Sequence, residues 1–364
     1  MTNNGHTHNT HSADFNRKNA KKGEQIAIEL APHKHEGSIA DGSDLDPTIT
    51  EIAPGVLEID TKLGGWEHVT AGYLLTGERP FLVETGSRSS MPTLKKAFTK
   101  LSLSPNDLYG VAVTHIHLDH AGGVGDVSEL FPKATVYVHP LGAKHLVDPT
   151  RLIDSASRVY GPLLDSLYGR LLPTEKDRIK VLEDSEIIDL KTRTLKTVDS
   201  PGHAKHHLAL LDSSSEILFA GDAVGVRLPD IGILRPSSPP SDFDLIKAVN
   251  SLNKFKENNP YKIALAHYGL VAIDPQELLD EAIEIVTKWA EVAERAFLNQ
   301  SDITDALTTA FGESFDNVDP KHKARMETLS GIHSNASGLK RWLEVKYANT
   351  NSTENKNTAG GKNN

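Results

Sequence analysis

The sequence predicts an α+β chain with two β-sheets, a helical insertion and C-terminal helices, and three observations carry that expectation. Short apolar or alternating runs set off by Gly and Pro gather in two groups, from Val56 to Val138 and from Ile187 to Ala220; such runs are strand signals. Between the groups, Pro140 to about Glu183 carries apolar residues mostly three and four apart, which is the spacing of a helix face. After His267 the chain turns helical again.

In chain order, Val56–Ile59, Ala71–Thr76 and Phe81–Glu84 read as an antiparallel meander that forms a first sheet. A helix follows from Met91 to about Leu101, then a buried strand from Tyr109 to Val113. A loop passes into a helix between Leu118 and Phe131, and Ala134–Val138 is another strand. The insertion over 140–183 holds Leu152, Ile153, Val159, Leu163, Leu164, Leu167 and Leu171 together with Tyr160 and Tyr168, which pack or face a substrate. Strands at Ile187–Leu190, Leu195–Val198, Leu208–Leu211 and Glu216–Ala220 predict a second sheet. Asp274-Pro275 is an N-cap followed by proline in the first turn. Leu278, Leu279, Ala282, Ile283, Val286, Trp289, Ala290 and Ala293 then trace an apolar stripe. Further helices over Ile303–Phe311 and His322–Leu329, with Leu339, Trp342 and Leu343 near the end, would cap a site, form a dimer surface or pack on the sheets.

One domain over 47–347 is therefore expected, between disordered tails at 1–46, rich in His, Asn and Lys, and 348–364. His6, His8, His11, His33 and His35 lie in the first tail. The 364 residues, 38 % hydrophobic and 24 % charged, have ordinary globular composition. A formal charge of −10 argues against a polyanionic partner, since nucleic-acid binding rests on clustered Lys and Arg. There is no Cys, so disulfides, thiolate metal sites and cysteine nucleophiles are excluded. The first 25 residues contain no apolar run of the signal-peptide kind, and no stretch approaches a membrane span. A cytoplasmic location without membrane association is the expectation. Asn335-Ala336-Ser337 matches a glycosylation acceptor, a chance match in a chain with no secretory signal.

The densest chemistry lies at Thr114-His115-Ile116-His117-Leu118-Asp119-His120, directly after the apolar run Gly110–Val113. A strand thus delivers three imidazoles and one carboxylate, the ligand types of zinc and its borderline neighbours. Once distant ligands are added, such a set exceeds what one tetrahedral ion takes, so two metals are expected. Candidate partners sit at later strand tips: His203 in Ser200-Pro201-Gly202-His203, Asp222 in Ala220-Gly221-Asp222, and His267 after Ile263–Ala266. Each alone has an ordinary explanation as a turn or a hydrogen-bonded histidine; together they complement the cluster.

From about Pro54 to His267 the chain resembles the metallo-β-lactamase-fold superfamily, the metallohydrolases that include glyoxalase II and the lactonases of acyl-homoserine lactones. The motifs occur in order: Val83-Glu84-Thr85-Gly86, His115-x-His117-x-Asp119-His120, Gly202-His203, Gly221-Asp222 and His267. The resemblance implies an αββα sandwich with two metals at one edge. It implies His115, His117 and His203 on the first metal, Asp119, His120 and His267 on the second, and Asp222 bridging both. This suits the ligand chemistry, because a carboxylate has two oxygens while an imidazole gives one nitrogen to one ion. The implied cofactors are two zinc ions, with iron or manganese as alternatives, and the nucleophile is a hydroxide shared between them. Asp119 would orient that hydroxide or pass its proton to the leaving group.

Departures from known branches narrow the reading. The flavin-linked oxidative branch has Glu where this chain has His117, which favours hydrolysis over redox chemistry. Gly225 stands where the homoserine-lactone lactonases typically have a substrate-contacting Tyr. Glyoxalase II holds glutathione with basic groups in its C-terminal region, and the nearest candidate here is the lone pair Lys340-Arg341. Glu84 replaces the Asp of many relatives. His207 reads as structural or as a support for the ligands, and His206 stays open. The expectation is a hydrolase of a small ester, lactone, thioester or amide-like substrate, acting alone or as a homodimer. A phosphodiesterase or nuclease, β-lactam hydrolysis, and a metal-binding protein without turnover are the alternatives.

Overall fold

The computed structural model describes residues 45–240 and 242–359, with side chains as far as Ala348. The expected N-terminal tail and its histidines lie outside these residues apart from Leu45 and Asp46, while the backbone of the last helix continues to Ala359, into the second expected tail.

The first sheet has seven strands in chain order. Strand β1 (Ile49–Ala53), absent from the sequence expectations, pairs antiparallel with β2 (Val56–Asp60), which forms the expected antiparallel meander with β3 (Ala71–Leu75) and β4 (Phe81–Val83). Helix α1 (Met91–Lys100) crosses to β5 (Gly110–Ala112), and α2 (Leu118–Ala121) and α3 (Val124–Leu130) lead to β6 (Thr135–Val138). The insertion contains α4 (Pro140–Val147), α5 (Thr150–Tyr160) and a turn at Leu164–Tyr168. It ends earlier than the spacing of its leucines predicts. Ile179–Val181 is strand β7, parallel to β6 at the sheet edge, because two β-branched residues flank Lys180 in register with Val136–Val138.

The second sheet runs in the order β8 (Ile187–Asp189), β9 (Thr194–Asp199), β10 (Leu208–Asp212), β11 (Ile217–Phe219), β12 (Lys262–Leu265) and β13 (Gly269–Leu270). β11 and β12 are parallel and are joined through helix α6 (Leu245–Asn258), an element absent from the sequence expectations. Its signals are nevertheless in the chain: Asp244 caps the helix by accepting from the Lys247 amide, and Leu245, Ala248, Leu252 and Phe255 follow at helical spacing. Asp274 caps α7 (Pro275–Leu298) as its Asp-Pro pair predicts, and α8 (Ile303–Phe311), α9 (Pro320–Ser330) and α10 (Ile332–Ala359) complete the chain. No helix among the described residues is long and apolar enough to cross a membrane.

Alternation along the strands builds the layers. Tyr73, Leu75, Phe81, Val83 and Ala112 point between the sheets, where they meet Leu208, Leu210, Ile217 and Phe219. Leu74, Leu82, Val111 and Val136 point the other way onto the helices beside the first sheet, and Leu218, Ile263 and Leu265 pack under α6 and α7. Two sheets buried on both faces between helices are the αββα sandwich. Tyr73 and Phe219 meet across the sheets at 4.9 Å, and the Tyr73 hydroxyl donates to the Leu265 carbonyl at 2.5 Å. Phe219→Ala would open a cavity in this layer and is expected to destabilise by about 3–5 kcal/mol in urea denaturation.

Candidate metal centre

All seven residues singled out in the sequence come together where the loops leave the carboxyl ends of β5, β9, β11 and β12. His115 and His117 lie in the segment after β5, and the single turn α2 folds back so that Asp119 and His120 face the same centre. His203 follows β9, Asp222 follows β11 and His267 follows β12. The Leu208 amide donates to the Thr114 carbonyl at 2.8 Å, which ties the two sheets together beside the cluster.

Three sets of ligand atoms each lie within 4.8 Å of one another: His115, His117 and His203; Asp119, His120 and His267; and His115, His120 and Asp222. The first is a tight triangle. His115 Nε2 lies 2.9 Å from His117 Nδ1, and His203 Nε2 lies 3.1 and 3.0 Å from those two atoms. Tetrahedral zinc with bonds of about 2.0–2.1 Å sets its nitrogens roughly 3.3 Å apart, so the triangle needs to open by only a few tenths of an ångström. In the second set His267 Nε2 is 3.4 Å from Asp119 Oδ2, and His120 Nε2 is 3.8 Å from Asp119 Oδ1. Asp222 lies between the sets. Its Oδ1 is 3.3 Å from His120 Nε2 and 3.4 Å from His267 Nε2, while its Oδ2 is 3.6 Å from His203 Nε2.

Surrounding groups decide which imidazole nitrogen faces inward. His203 donates from Nδ1 to the Ser237 carbonyl at 3.1 Å, and His267 donates from Nδ1 to the Val69 carbonyl at 2.9 Å, leaving the Nε2 lone pairs for the centre. His115 Nδ1 lies 3.1 Å from Thr114 Oγ1. Glu84 accepts from the Thr114 amide through Oε1 at 3.1 Å and places Oε2 3.5 Å from His120 Nδ1, so the residue that stands in place of Asp supports a ligand. Ser237 and Val69 are not among the sequence candidates, since they act through backbone carbonyls that any residue carries.

Burial and then the neighbouring imidazoles hold His115 well below its ordinary pKa, and burial with His203 brings His117 to about 4. Both are neutral near pH 7, which is the form that binds a metal. Burial works against the charge of Asp222, but His120, His267 and His203 keep its carboxyl well below the usual range. Burial likewise opposes charge on His120, and Asp222, Asp119 and Glu84 raise its pKa regardless. The carboxylates thus draw positive charge to this spot. His120 Nε2 and Asp222 Oδ1 are buried and face each other at 3.3 Å without forming a well-aligned hydrogen bond. Buried polar atoms normally have partners, and a bound cation would satisfy both.

His207 is a support: its Nδ1 lies 2.8 Å from Ser200 Oγ and its Nε2 accepts from the Asp222 amide at 3.2 Å. His206 is buried with Nε2 3.7 Å from Asp242, and burial followed by His117 brings its pKa to about 2. His139 caps α4, accepting from the Leu141 amide, and lies 3.3 Å from Asp199. The insertion packs Tyr160 and Tyr168 against each other, with rings 4.6 Å apart. Burial first and then the charge of Asp119 raise the Tyr160 phenol; burial, Tyr160 and Asp119 raise Tyr168.

The family profile described as Metallo-beta-lactamase superfamily matches residues 64–267. Among curated relatives, the Metallo-beta-lactamase fold-containing protein ST1585 of Sulfurisphaera tokodaii is 30 % identical over 165 residues, 44 % of this chain and 61 % of that protein. The acyl-coenzyme A thioesterase MBLAC2 of Gallus gallus is 28 % identical over 153 residues, 40 % of this chain and 54 % of that one. These matches thus span little more than half the length of the relatives. Among solved structures, ST1585 superposes with a TM-score of 0.60 at 24 % identity, covering 79 % of this chain and 98 % of the other.

Proposed function

Because the chain belongs to the metallo-β-lactamase superfamily, we propose that it is a dinuclear metal-dependent hydrolase, with zinc as the first metal to test and iron or manganese next. Asp222 carries this reading: one oxygen is turned toward His120 and His267 and the other toward His203. His115, His117 and His203 would hold one ion, Asp119, His120 and His267 the second, and Asp222 both. Two ions so held supply a water acidified to near neutrality and a Lewis acid for the substrate oxygen.

The chain's own residues supply the rest. Asp119 is the most open of the carboxylates and imidazoles around the second ion, with 15 % of its side chain exposed against 1 % for His120 and His267. Asp119 would orient the attacking water or pass its proton to the leaving group. Tyr160, whose phenol feels the charge of Asp119, would offer a hydroxyl for orienting a bound acyl group, with Tyr168 buried behind it.

The substrate class proposed is a small ester, lactone, thioester or amide-like compound, with thioesters first because one relative is named an acyl-coenzyme A thioesterase. The formal charge of −10 disfavours phosphodiester polymers. The test is elemental analysis of untagged protein combined with a panel of thioester, ester, lactone, β-lactam and phosphodiester substrates. About two zinc ions per chain, with turnover lost on chelation and restored by zinc, is the expected result. No metal after reconstitution, together with no turnover across the panel, would overturn the reading.

A further inference from the structure

Resting on the metal-centre reading, we propose that Asn335 is a positioning residue for the ion held by His115, His117 and His203, acting through one peptide plane. His203 donates from Nδ1 to the Ser237 carbonyl at 3.1 Å. That carbonyl belongs to the same peptide as the Ser238 N–H, which donates to Asn335 Oδ1 at 2.8 Å. A peptide is planar and stiff, so gripping its N–H from one side fixes where its C=O points on the other. The grip also polarises the carbonyl into a better acceptor. Both effects hold the His203 ring in the tautomer and orientation that aim Nε2 at the centre.

The grip is itself held rigidly. Asn335 is 2 % exposed. Its Oδ1 also accepts from Ser238 Oγ at 2.5 Å, and its Nδ2 donates to Ser330 Oγ at 2.9 Å and to the Gly331 carbonyl at 3.1 Å. The amide therefore uses its full hydrogen-bonding capacity inside the protein, which also disposes of the glycosylation-acceptor match. Ser330 Oγ donates to the Pro236 carbonyl, and Arg235 reaches Glu327 and the Ser330 carbonyl, so the loop is pinned on both sides of Ser237. One turn along α10 from Asn335, a Cβ on Gly338 would come within 1.9 Å of the Ser238 carbonyl. The helix thus presents Asn335 and a bare glycine to receive this loop. Ser237 Oγ additionally lies 3.4 Å from Asp222 Oδ2. Asn335 lies outside the segment that the superfamily profile matches, so this support is supplied by the chain's own C-terminal helices.

The experiment is zinc titration of the metal-free full chain against a competing chelator, with thermal melting of the metal-free protein measured alongside. Asn335→Ala is expected to weaken one of the two zinc sites roughly 10- to 100-fold, the usual effect of removing a group that orients a ligand. Asn335→Asp keeps the acceptor for the Ser238 N–H but sets an oxygen against the Gly331 carbonyl, so it should lower the melting temperature of the metal-free chain while weakening zinc binding less than Asn335→Ala does. Leu339→Ala, in the helical core one turn away, should lower the melting temperature without changing either zinc affinity. If Asn335→Ala does not fold, Asn335→Ser carries the same test, because it keeps a small polar side chain that is too short to reach the Ser238 N–H. Unchanged zinc affinities in the folded variants, or a loss that Leu339→Ala matches, would overturn the inference while the metal-centre reading stands. A wild-type chain that takes up neither zinc nor iron nor manganese would overturn both.

Discussion

Asp222→Ala is expected to lower turnover on the order of 10³-fold or more and, on the proposed dinuclear reading, to leave at most one zinc ion per chain. The reason is geometric. Each of the other six candidate ligands is assigned to one ion, whereas Asp222 has its two oxygens turned toward different sets, at 3.3 and 3.4 Å on one side and 3.6 Å on the other. Alanine removes both oxygens and leaves His120 with fewer negative neighbours to counter the cost of its burial. Asp222→Asn separates shape from charge: the side chain fits the same space, but one oxygen becomes an NH₂ group that cannot bind a cation. It should therefore resemble the alanine variant in turnover. Elemental analysis and steady-state kinetics check the pair, with circular dichroism to confirm folding. Two zinc ions and near wild-type turnover in Asp222→Ala would remove the bridging role.

The candidate ligand set is legible in the sequence because chemistry compresses it there. Four ligand-type side chains stand within six positions after one strand, and each of the other three follows a strand signal. The two sheets are legible for a related reason: strands buried on both faces keep their apolar runs and their Gly and Pro boundaries. Other features leave no comparable trace. The Ser237 and Val69 carbonyls that orient His203 and His267 are backbone atoms. Asn335 reaches Ser238 across 97 residues of chain, a pairing set only by how α10 docks. The end of the insertion is illegible because Leu163, Leu164, Leu167 and Leu171 suggest a longer helix than the turn that ends at Tyr168, and the pairing of β7 with β6 is a tertiary choice.

Gly221→Ala is expected to destabilise the protein by about 2–4 kcal/mol, and to impair zinc binding beyond what that loss alone explains. Two independent costs fall on this position. Its φ of +53° lies in the left-handed region, which disfavours any residue with a Cβ. A Cβ would also stand 2.5 Å from Thr114 Oγ1 and 2.6 Å from His207 Nε2. Neither atom can retreat cheaply. Thr114 lies against His115, and its amide is held by Glu84. His207 is held by Ser200 at one nitrogen and accepts the Asp222 amide at the other. Moving His207 therefore releases the backbone of Asp222 itself, so strain beside the centre becomes misplacement of the residue that lies between the two sets of candidate ligands. Urea denaturation of the metal-free chain measures the first cost, and zinc affinity measures the second. A variant that is destabilised but binds both ions at wild-type affinity would show that the Asp222 loop tolerates the shift, and that the contact between His207 and the Asp222 amide is dispensable for metal binding.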